Sequence, residues 1–186
     1  MALSTERNGA GLTYASYSSL LGDIFVLSST GGLLASCLGS SEEAFLESSL
    51  KEYGAVARKK PAGFSELFSL FDDYFTGKKV DFVVELKPVG SPFEQGVWQA
   101  LRTIPYNQCR SYSWVAAAAA RTANGGSPKA YRAVGRACGR NRLPIIIPCH
   151  RVVMASGAIG GFAEAAGGVQ MKRRLLELEG VTLPFK

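Results

Sequence analysis

The most informative segment of this sequence is Leu143-Pro144-Ile145-Ile146-Ile147-Pro148-Cys149-His150-Arg151-Val152-Val153. It is an apolar, largely β-branched run that ends in a cysteine and the chain's only histidine. β-Branched side chains favour extended backbone, so the run predicts a buried extended segment that delivers Cys149 to a fixed place. A free thiol has a pKa of about 8.5, so its chemistry near neutral pH needs a base or a positive field to populate the thiolate, and His150 stands next to it.

Because Cys149 and His150 are neighbours, the ways in which they could act together are limited. Adjacent side chains in an extended segment point to opposite faces. A direct contact therefore needs a local turn, and otherwise a water molecule has to bridge the two groups. A cysteine is also often a small buried apolar residue, so the pair alone leaves both a reactive site and a core thiol open.

The sequence on the N-terminal side of this segment predicts helices. They run from Ser91 to Ile104, from Ser111 to Ala123 and from Ser127 to about Gly139. Asn124-Gly125-Gly126 supplies a turn between the last two. A helix, a glycine-bearing turn and a second helix in a basic region are typical of a helix-turn-helix.

The first part of the chain alternates short apolar stretches with turns. Strands are predicted at Leu12–Tyr17, Ile24–Leu27, Leu33–Leu38 and Val80–Leu86, and helices at Ser41–Tyr53 and Phe64–Phe75. The link Lys87-Pro88-Val89-Gly90 breaks the pattern. We therefore predict an α+β protein with two domains: a small N-terminal α/β domain with a short antiparallel sheet at 1–87, without evident chemistry, and a mostly helical domain at 88–186.

Charge divides the chain in the same way. Residues 1–90 carry a net charge of −3, and residues 91–186 carry +9. No acidic side chain lies between Glu94 and Glu164, whereas nine basic residues do: Arg102, Arg110, Arg121, Lys129, Arg132, Arg136, Arg140, Arg142 and Arg151. Such a stretch suits a polyanion, because contacts with phosphates release bound counterions. A solvated basic face is the alternative.

The third predicted helix carries arginines and small residues together. Arg132, Arg136 and Arg140 follow one another at intervals of four, which places them roughly along one face. Their neighbours are small: Ala130, Ala133, Gly135, Ala137 and Gly139. A helix that fits into a DNA groove needs both features, although small residues also suit a helix packed in a core.

Composition excludes several other classes. Hydrophobic residues make up 47% and charged residues 19%, as in globular proteins. No apolar run approaches the roughly 20 residues of a membrane span. Residues Met1 to Gly11 are polar and lack the basic and apolar segments of a secretory signal. An intracellular location is therefore expected, in the cytoplasm and nucleoid, or in the nucleus of a eukaryote. Cys37, Cys109 and Cys138 are expected to be structural thiols, and one histidine gives no recognisable metal site.

The motif Pro148-Cys149-His150-Arg151-Val152 resembles the active-site signature of the O6-alkylguanine-DNA alkyltransferases, or methylated-DNA–protein-cysteine methyltransferases. The resemblance is dense over about 90–180 and looser before. The matching flanks are Ser91-Pro92-Phe93, Val97-Trp98, Ile104-Pro105-Tyr106, Ser111-Tyr112, Pro128-Lys129-Ala130, Arg132-Ala133-Val134-Gly135, Asn141, Lys172 and Leu175-Leu176-Glu177-Leu178-Glu179-Gly180.

The resemblance implies a set of catalytic roles. Cys149 would accept an alkyl group from O6 of guanine in DNA, with O4 of thymine as a further candidate. His150 would take the thiol proton through a water, and Glu179 would fix and charge the imidazole. Asn141 would order the turn before the cysteine. No cofactor is implied, because the damaged DNA is itself the alkyl donor, and the stable thioether implies one turnover per molecule.

The resemblance also implies how DNA is bound. A monomer would insert its recognition helix into the minor groove of double-stranded DNA and flip out the alkylated guanine. Arg132 would enter the duplex and fill the gap, while Tyr112 would crowd the phosphate and rotate the nucleotide. Further DNA contacts are expected from Ser113, Lys129 and Arg136.

Two loops depart from the family's pattern. The chain is longer at 116–127 and at 160–168, with Phe162 and Ala163 where a tyrosine and a hydroxyl residue are common, so the pocket wall is expected to differ.

Three other functions stay open: a lesion-binding relative without transfer activity, a cysteine hydrolase and a transcription factor. Cys149 argues against the lesion-binding relative. The arginines of the third predicted helix argue against the hydrolase, and the Pro148-Cys149-His150 motif argues against the transcription factor.

Overall fold

The computed structural model describes residues 11–122, 127, 129–162 and 168–182. The predicted turn at Asn124-Gly125-Gly126 and the loop residue Ala163 lie outside these ranges. Over the described ranges, every helix is too short or too polar to cross a lipid bilayer.

The described N-terminal residues form a four-stranded sheet. Its strands are β1 (Thr13–Ser19), β2 (Gly22–Ser29), β3 (Gly32–Leu38) and β4 (Arg58–Lys59), in the spatial order β3-β2-β1-β4. The first three form an antiparallel meander, which confirms the predicted sheet, and the short β4 pairs parallel with β1. Gly32 turns the chain at a φ of 128°, where a side chain would also collide with the carbonyl of Glu85.

Two helices cover this sheet region. Helix α1 (Glu42–Tyr53) begins where the hydroxyl of Ser41 accepts the amide of Ala44, and it ends at Gly54 in the left-handed conformation. Helix α2 (Ser65–Phe75) follows a single 3-10 turn. It buries one apolar face formed by Leu67, Phe71, Tyr74 and Phe75. The last turn of α2 therefore lies in the core.

The predicted strand at Val80–Leu86 is wrong. Within this range the chain forms one isolated parallel bridge, between Leu86 and Leu33. The free edge of β3 is partly occupied from elsewhere, because the amide of Ser36 donates to the carbonyl of Arg142 at 2.7 Å. The alternating side chains of the segment still bury Phe82, which packs edge-on against Phe71.

The C-terminal part is mostly helical. Its elements are α3 (Pro92–Arg102), β5 (Arg110–Ser111), α4 (Tyr112–Ala119), α5 (Tyr131–Gly139), a 3-10 turn at Cys149–Arg151, β6 (Val152–Val153) and α6 (Gly168–Leu178). Helices α3, α4 and α5 pack against one another. The indole of Trp98 donates to the carbonyl of Ala137 at 2.9 Å, which joins α3 to the end of α5. The α+β class is confirmed.

The segment before the cysteine is turned, whereas the sequence predicts extended backbone. The amide of Ile147 donates to the carbonyl of Leu143 at 2.8 Å, and Ile145 has a φ of 74°. That conformation is costly for a β-branched residue. It is held because the side chain of Asn141 bonds to both ends of the turn, at Leu143 and Ile147. Local hydrogen bonding thus overrides the β propensity of the isoleucines.

One hydrophobic core runs through both parts of the chain. It contains Ile24 and Phe71 from the N-terminal part together with Leu101 and Leu175 from the helical part. A smaller cluster around Phe45 lies under α1. The turn that carries the cysteine is therefore anchored against the sheet as well as against the helices.

The start of α3 provides a test of local stability. Ser91 and Glu94 form a reciprocal capping box, in which the hydroxyl of Ser91 accepts the amide of Glu94 and the carboxylate of Glu94 accepts the amide of Ser91. Ser91→Ala is expected to lower the free energy of unfolding by about 1 kcal/mol, because an orphan amide loses its acceptor.

Urea denaturation measures this change. Ser48→Ala, on an exposed position inside α1, is the matched control and should change the free energy by less than about 0.5 kcal/mol. Equal effects of the two substitutions would contradict the capping role.

Candidate active site

Cys149 is the first residue of the 3-10 turn and is only 5% exposed. The turn leads directly into β6, which pairs with β5 through Arg110–Val152 and Ser111–Val153. Because β5 leads directly into α4, this two-stranded pairing places the start of α4 beside the cysteine turn.

Asn141 connects the cysteine to the turn that precedes it. Its amide nitrogen donates to Sγ of Cys149 at 3.1 Å and to the carbonyl of Ile147 at 2.8 Å. Its amide oxygen accepts the backbone amide of Leu143 at 2.9 Å. One buried side chain therefore sets both the shape of the turn and the position of the sulfur.

The thiol of Cys149 is protonated at rest. Burial raises the pKa of Cys149, and this effect exceeds the lowering by the Asn141 amide, the charge of Lys172 and the backbone amides of residues 149 and 150. The sulfur thus lies among groups that stabilise an anion, yet it does not ionise without help. Its reaction as a nucleophile requires a base to take the proton.

His150 is fully buried and hydrogen-bonded on one side only. Its Nε2 lies 2.7 Å from Oε1 of Glu179. Among the described residues, none forms a hydrogen bond with Nδ1. Burial lowers the pKa of His150, so the ring is neutral despite its carboxylate partner. With the proton on Nε2 facing Glu179, Nδ1 carries the lone pair of a base.

Glu179 follows the last turn of α6 and is 1% exposed. Besides His150, it binds Arg151, whose Nε lies 2.9 Å from Oε2 and whose Nη2 lies 3.0 Å from Oε1. Burial alone would raise the pKa of Glu179, but the hydrogen bonds and charges of His150 and Arg151 outweigh it and lower the pKa to about 2. The carboxylate is therefore an anion at neutral pH.

Three contributors to this site were missed at the sequence level. Tyr74 of α2 donates its hydroxyl to Oε1 of Glu179 at 2.9 Å. Arg151, counted above among residues suited to a polyanion, is 6% exposed and binds Glu179 and the carbonyl of Ile104 instead. Tyr106 lies under the Arg151 guanidinium, 5.8 Å from its ring centroid. No sequence signal links Tyr74 to a glutamate 105 positions away.

Lys172 is a buried cation beside the cysteine turn. Its Nζ donates to the carbonyl of Val152 at 2.5 Å and to that of Gly161 at 3.0 Å, and its exposed fraction is 0%. Burial lowers the pKa of Lys172 to about 8. The ammonium also lies 5.8 Å from the ring centroid of Tyr112. Lys172 thus ties α6 to β6 and to the loop that follows β6.

Tyr112, the predicted nucleotide-rotating residue, is half-buried between α5 and this loop. Its hydroxyl donates to the carbonyl of Gly161 at 3.4 Å. A side chain at Gly135 or Gly160 would contact the ring of Tyr112. Burial raises the pKa of Tyr112 to about 12, so its hydroxyl keeps its proton.

The other predicted DNA-contacting residues lie on the surface. Ser113, Lys129, Arg132 and Arg136 are all exposed. Arg140 follows the end of α5 and pairs with Glu94 at 2.8 Å, although its side chain is 72% exposed. The arginines free to meet a polyanion on α5 are therefore Arg132 and Arg136.

The remaining cysteines lack the surroundings of Cys149. Cys37, Cys109 and Cys138 are partly buried, and burial raises the pKa of each. In the part of the chain that the structure describes, three or more His, Cys, Asp or Glu residues nowhere group in a way that could hold a metal ion.

Comparison with known proteins identifies the family. The model of the 6-O-methylguanine DNA methyltransferase ribonuclease-like domain matches residues 12–88, and that of the 6-O-methylguanine DNA methyltransferase DNA binding domain matches residues 92–181. A methylated-DNA–protein-cysteine methyltransferase of Bacillus subtilis is 42% identical over 69% of this chain and 73% of its own length. The chain belongs to the 6-O-methylguanine DNA methyltransferase family.

Further proteins are similar to the chain in sequence and in structure. The methylated-DNA–protein-cysteine methyltransferase of Mycobacterium leprae is 47% identical over 62% of this chain, a match that covers 65% of its own length, just under two thirds. The crystal structure of Mycobacterium tuberculosis OGT in complex with DNA superposes with a TM-score of 0.73 and 36% identity. That alignment covers 90% of this chain and 92% of the other.

The buried ion pair of Glu179 and Arg151 has a measurable consequence for stability. Glu179→Gln is expected to lower the free energy of unfolding at pH 7 by about 3 kcal/mol or more, because Arg151 is left as an uncompensated buried charge. Since the folded pKa of about 2 lies below the ordinary 4.5, the carboxylate's contribution is complete above about pH 4.5 and is lost as the pH falls towards 2.

Chemical denaturation of the two proteins checks this expectation. Glu52→Gln removes the carboxylate of a partly exposed pair with Arg142 and serves as the control, with an expected loss below about 1 kcal/mol. A loss for Glu179→Gln as small as that of the control would refute the role of burial.

Proposed function

We propose that this chain repairs alkylated DNA by transferring the alkyl group from O6 of guanine to Sγ of Cys149. The observation that carries the proposal is the buried thiol of Cys149, held by Asn141 and adjacent to a histidine that is paired with Glu179, in a member of this family. In the transfer, the bond between the alkyl carbon and O6 breaks as a carbon–sulfur bond forms. Guanine is restored in one step without a cofactor.

The proton follows a route that the neutral His150 can support. The thiol proton leaves through a bridging water to Nδ1 of His150, and the imidazolium that forms is stabilised by the Glu179 anion. The electron pair of the broken carbon–oxygen bond stays on guanine. Guanine takes up one proton as the imidazolium gives one up through the water, which returns His150 to its neutral form. The amide of Asn141 and the charge of Lys172 stabilise the thiolate.

DNA must be deformed for the sulfur to reach O6. Cys149 is buried and O6 lies inside the stacked duplex, so the nucleotide has to be flipped out. We assign this work to α5, with exposed Arg132 in its first turn and small residues around it, in the minor groove. Ser113, Lys129 and Arg136 add contacts to the backbone. Tyr112, beside Gly160 and Lys172, walls the side from which the base enters.

The thioether at Cys149 has no evident release route, so each molecule reacts once. It acts as a monomer inside the cell, on double-stranded DNA that carries O6-alkylguanine. We also retain the division into domains at 1–87 and 88–186, which is supported by the family-model matches at 12–88 and 92–181.

Mass spectrometry tests the transfer. After incubation with an oligonucleotide that carries one O6-methylguanine, the intact chain should gain about 14 Da, one methylene, mapped to the peptide of Cys149. Cys149→Ser should gain nothing. Lesion-selective binding without a mass gain would favour a non-catalytic lesion binder, sequence-specific binding a transcription factor, and ester or amide cleavage a hydrolase.

The role of Arg132 predicts a difference between two substrates. Arg132→Ala should slow transfer from duplex DNA by about tenfold or more, yet change the reaction with free O6-benzylguanine less than about twofold, because the free base needs no flipping. Single-turnover rates measure both reactions, and Arg58→Ala, an exposed arginine on β4, is the matched control. Equal losses on the two substrates would remove Arg132 from base flipping.

A further inference from the structure

The hydroxyl of Tyr74 connects the N-terminal part of the chain to the catalytic carboxylate. Tyr74 lies in the last turn of α2, is fully buried, and donates to Oε1 of Glu179 at 2.9 Å. Oε1 is also the oxygen that lies 2.7 Å from Nε2 of His150. The tyrosine and the histidine therefore share one carboxylate oxygen.

The ring of Tyr74 is held rigidly in this place. It packs edge-on against Tyr106 at 6.1 Å and against Phe75 at 5.3 Å. Tyr106 is itself fixed, because its hydroxyl donates to the carbonyls of Gly77 and Leu178, one beyond α2 and one at the end of α6. Rotation of the hydroxyl away from Glu179 would leave a buried phenol without its acceptor.

Tyr74 acts as a donor only. Burial and the adjacent Glu179 anion raise the pKa of Tyr74 well above its ordinary value, so the phenol keeps its proton. The Tyr74 hydroxyl is a neutral donor, so it restricts the rotation of the Glu179 carboxylate without neutralising its negative charge. Arg151 supplies the opposing charge, and it binds through both oxygens. Together they leave Oε1 directed at Nε2 of His150.

We infer that Tyr74 is a positioning residue for alkyl transfer: its hydroxyl orients Glu179, and through it holds His150 in the tautomer with the proton on Nε2. This inference rests on the function proposed above. The tautomer matters because a proton on Nδ1 instead would remove the base that receives the Cys149 proton. The N-terminal part thus completes the proton-accepting site.

Tyr74→Phe removes only the hydroxyl and tests this role. Two controls accompany it. Tyr14→Phe also removes a tyrosine–glutamate hydrogen bond, the 2.7 Å bond to Glu42, but away from the site. Phe64→Leu perturbs the packing at the other end of α2, where Phe64 is buried against Phe68, and it leaves the surroundings of Tyr74 intact. It therefore separates loss of stability from loss of positioning.

The first measurement is spectroscopic and needs no activity. His150 is the chain's only histidine, so an untagged protein with ¹⁵N-labelled histidine gives one pair of ring-nitrogen signals, whose shifts report the tautomer. We expect the Nε2–H form in the wild type, Tyr14→Phe and Phe64→Leu. Tyr74→Phe should show a mixture of tautomers or an altered Nε2 signal.

The second measurement is the rate of Cys149 alkylation by O6-benzylguanine. We expect it to fall roughly tenfold in Tyr74→Phe, the effect of one lost hydrogen bond to a charged group, and to change little in the controls. An unchanged His150 spectrum and rate in Tyr74→Phe, or equal changes in Phe64→Leu, would overturn the inference. If the wild type fails to alkylate Cys149, the proposed function fails, while the spectrum still decides whether Tyr74 sets the tautomer.

Discussion

A negative charge buried at Glu179 constrains the rest of this structure. An isolated carboxylate is too costly to bury, so hydrogen-bond donors and an opposing charge must surround it. They come from α2, the 3-10 turn and the loop after α3: Tyr74, His150, Arg151 and the amide of Asn107. Segments that are distant in the sequence thus converge on one anion, for which the proposed function gives a use.

The sulfur of Cys149 is held in place by two other buried side chains. Asn141 fixes the turn before Cys149, and Lys172 fixes the strand after the turn by donating to the carbonyl of Val152. Both side chains are buried and also help to stabilise a thiolate. The groups that hold the cysteine turn in place are therefore the same groups that oppose the rise in the pKa of its buried thiol.

Much of this arrangement was predictable from the sequence, and the exceptions have physical causes. The antiparallel strands, the capped α1 and α3 and the exposed arginines of α5 follow from local patterns, and the motif around Cys149 indicated the family. The isoleucines before Cys149 were predicted as extended because β propensity says nothing of a side chain such as Asn141 that imposes a turn. The prediction of a strand at Val80–Leu86 was wrong because a strand needs a free edge to pair with, and Arg142 already binds part of the edge of β3. Tyr74 could not be predicted, since its contact with Glu179 depends on tertiary packing.

The bond between Tyr74 and Glu179 also bears on the order in which the molecule is made. It joins positions 105 apart, and the amide of Ser36 similarly pairs with the carbonyl of Arg142. Contacts this distant in sequence form late, because a long loop must close first. During synthesis, α5 with its arginines emerges from the ribosome well before residue 179. A nascent chain can therefore form helix α5 before the buried pair of His150 and Glu179 exists.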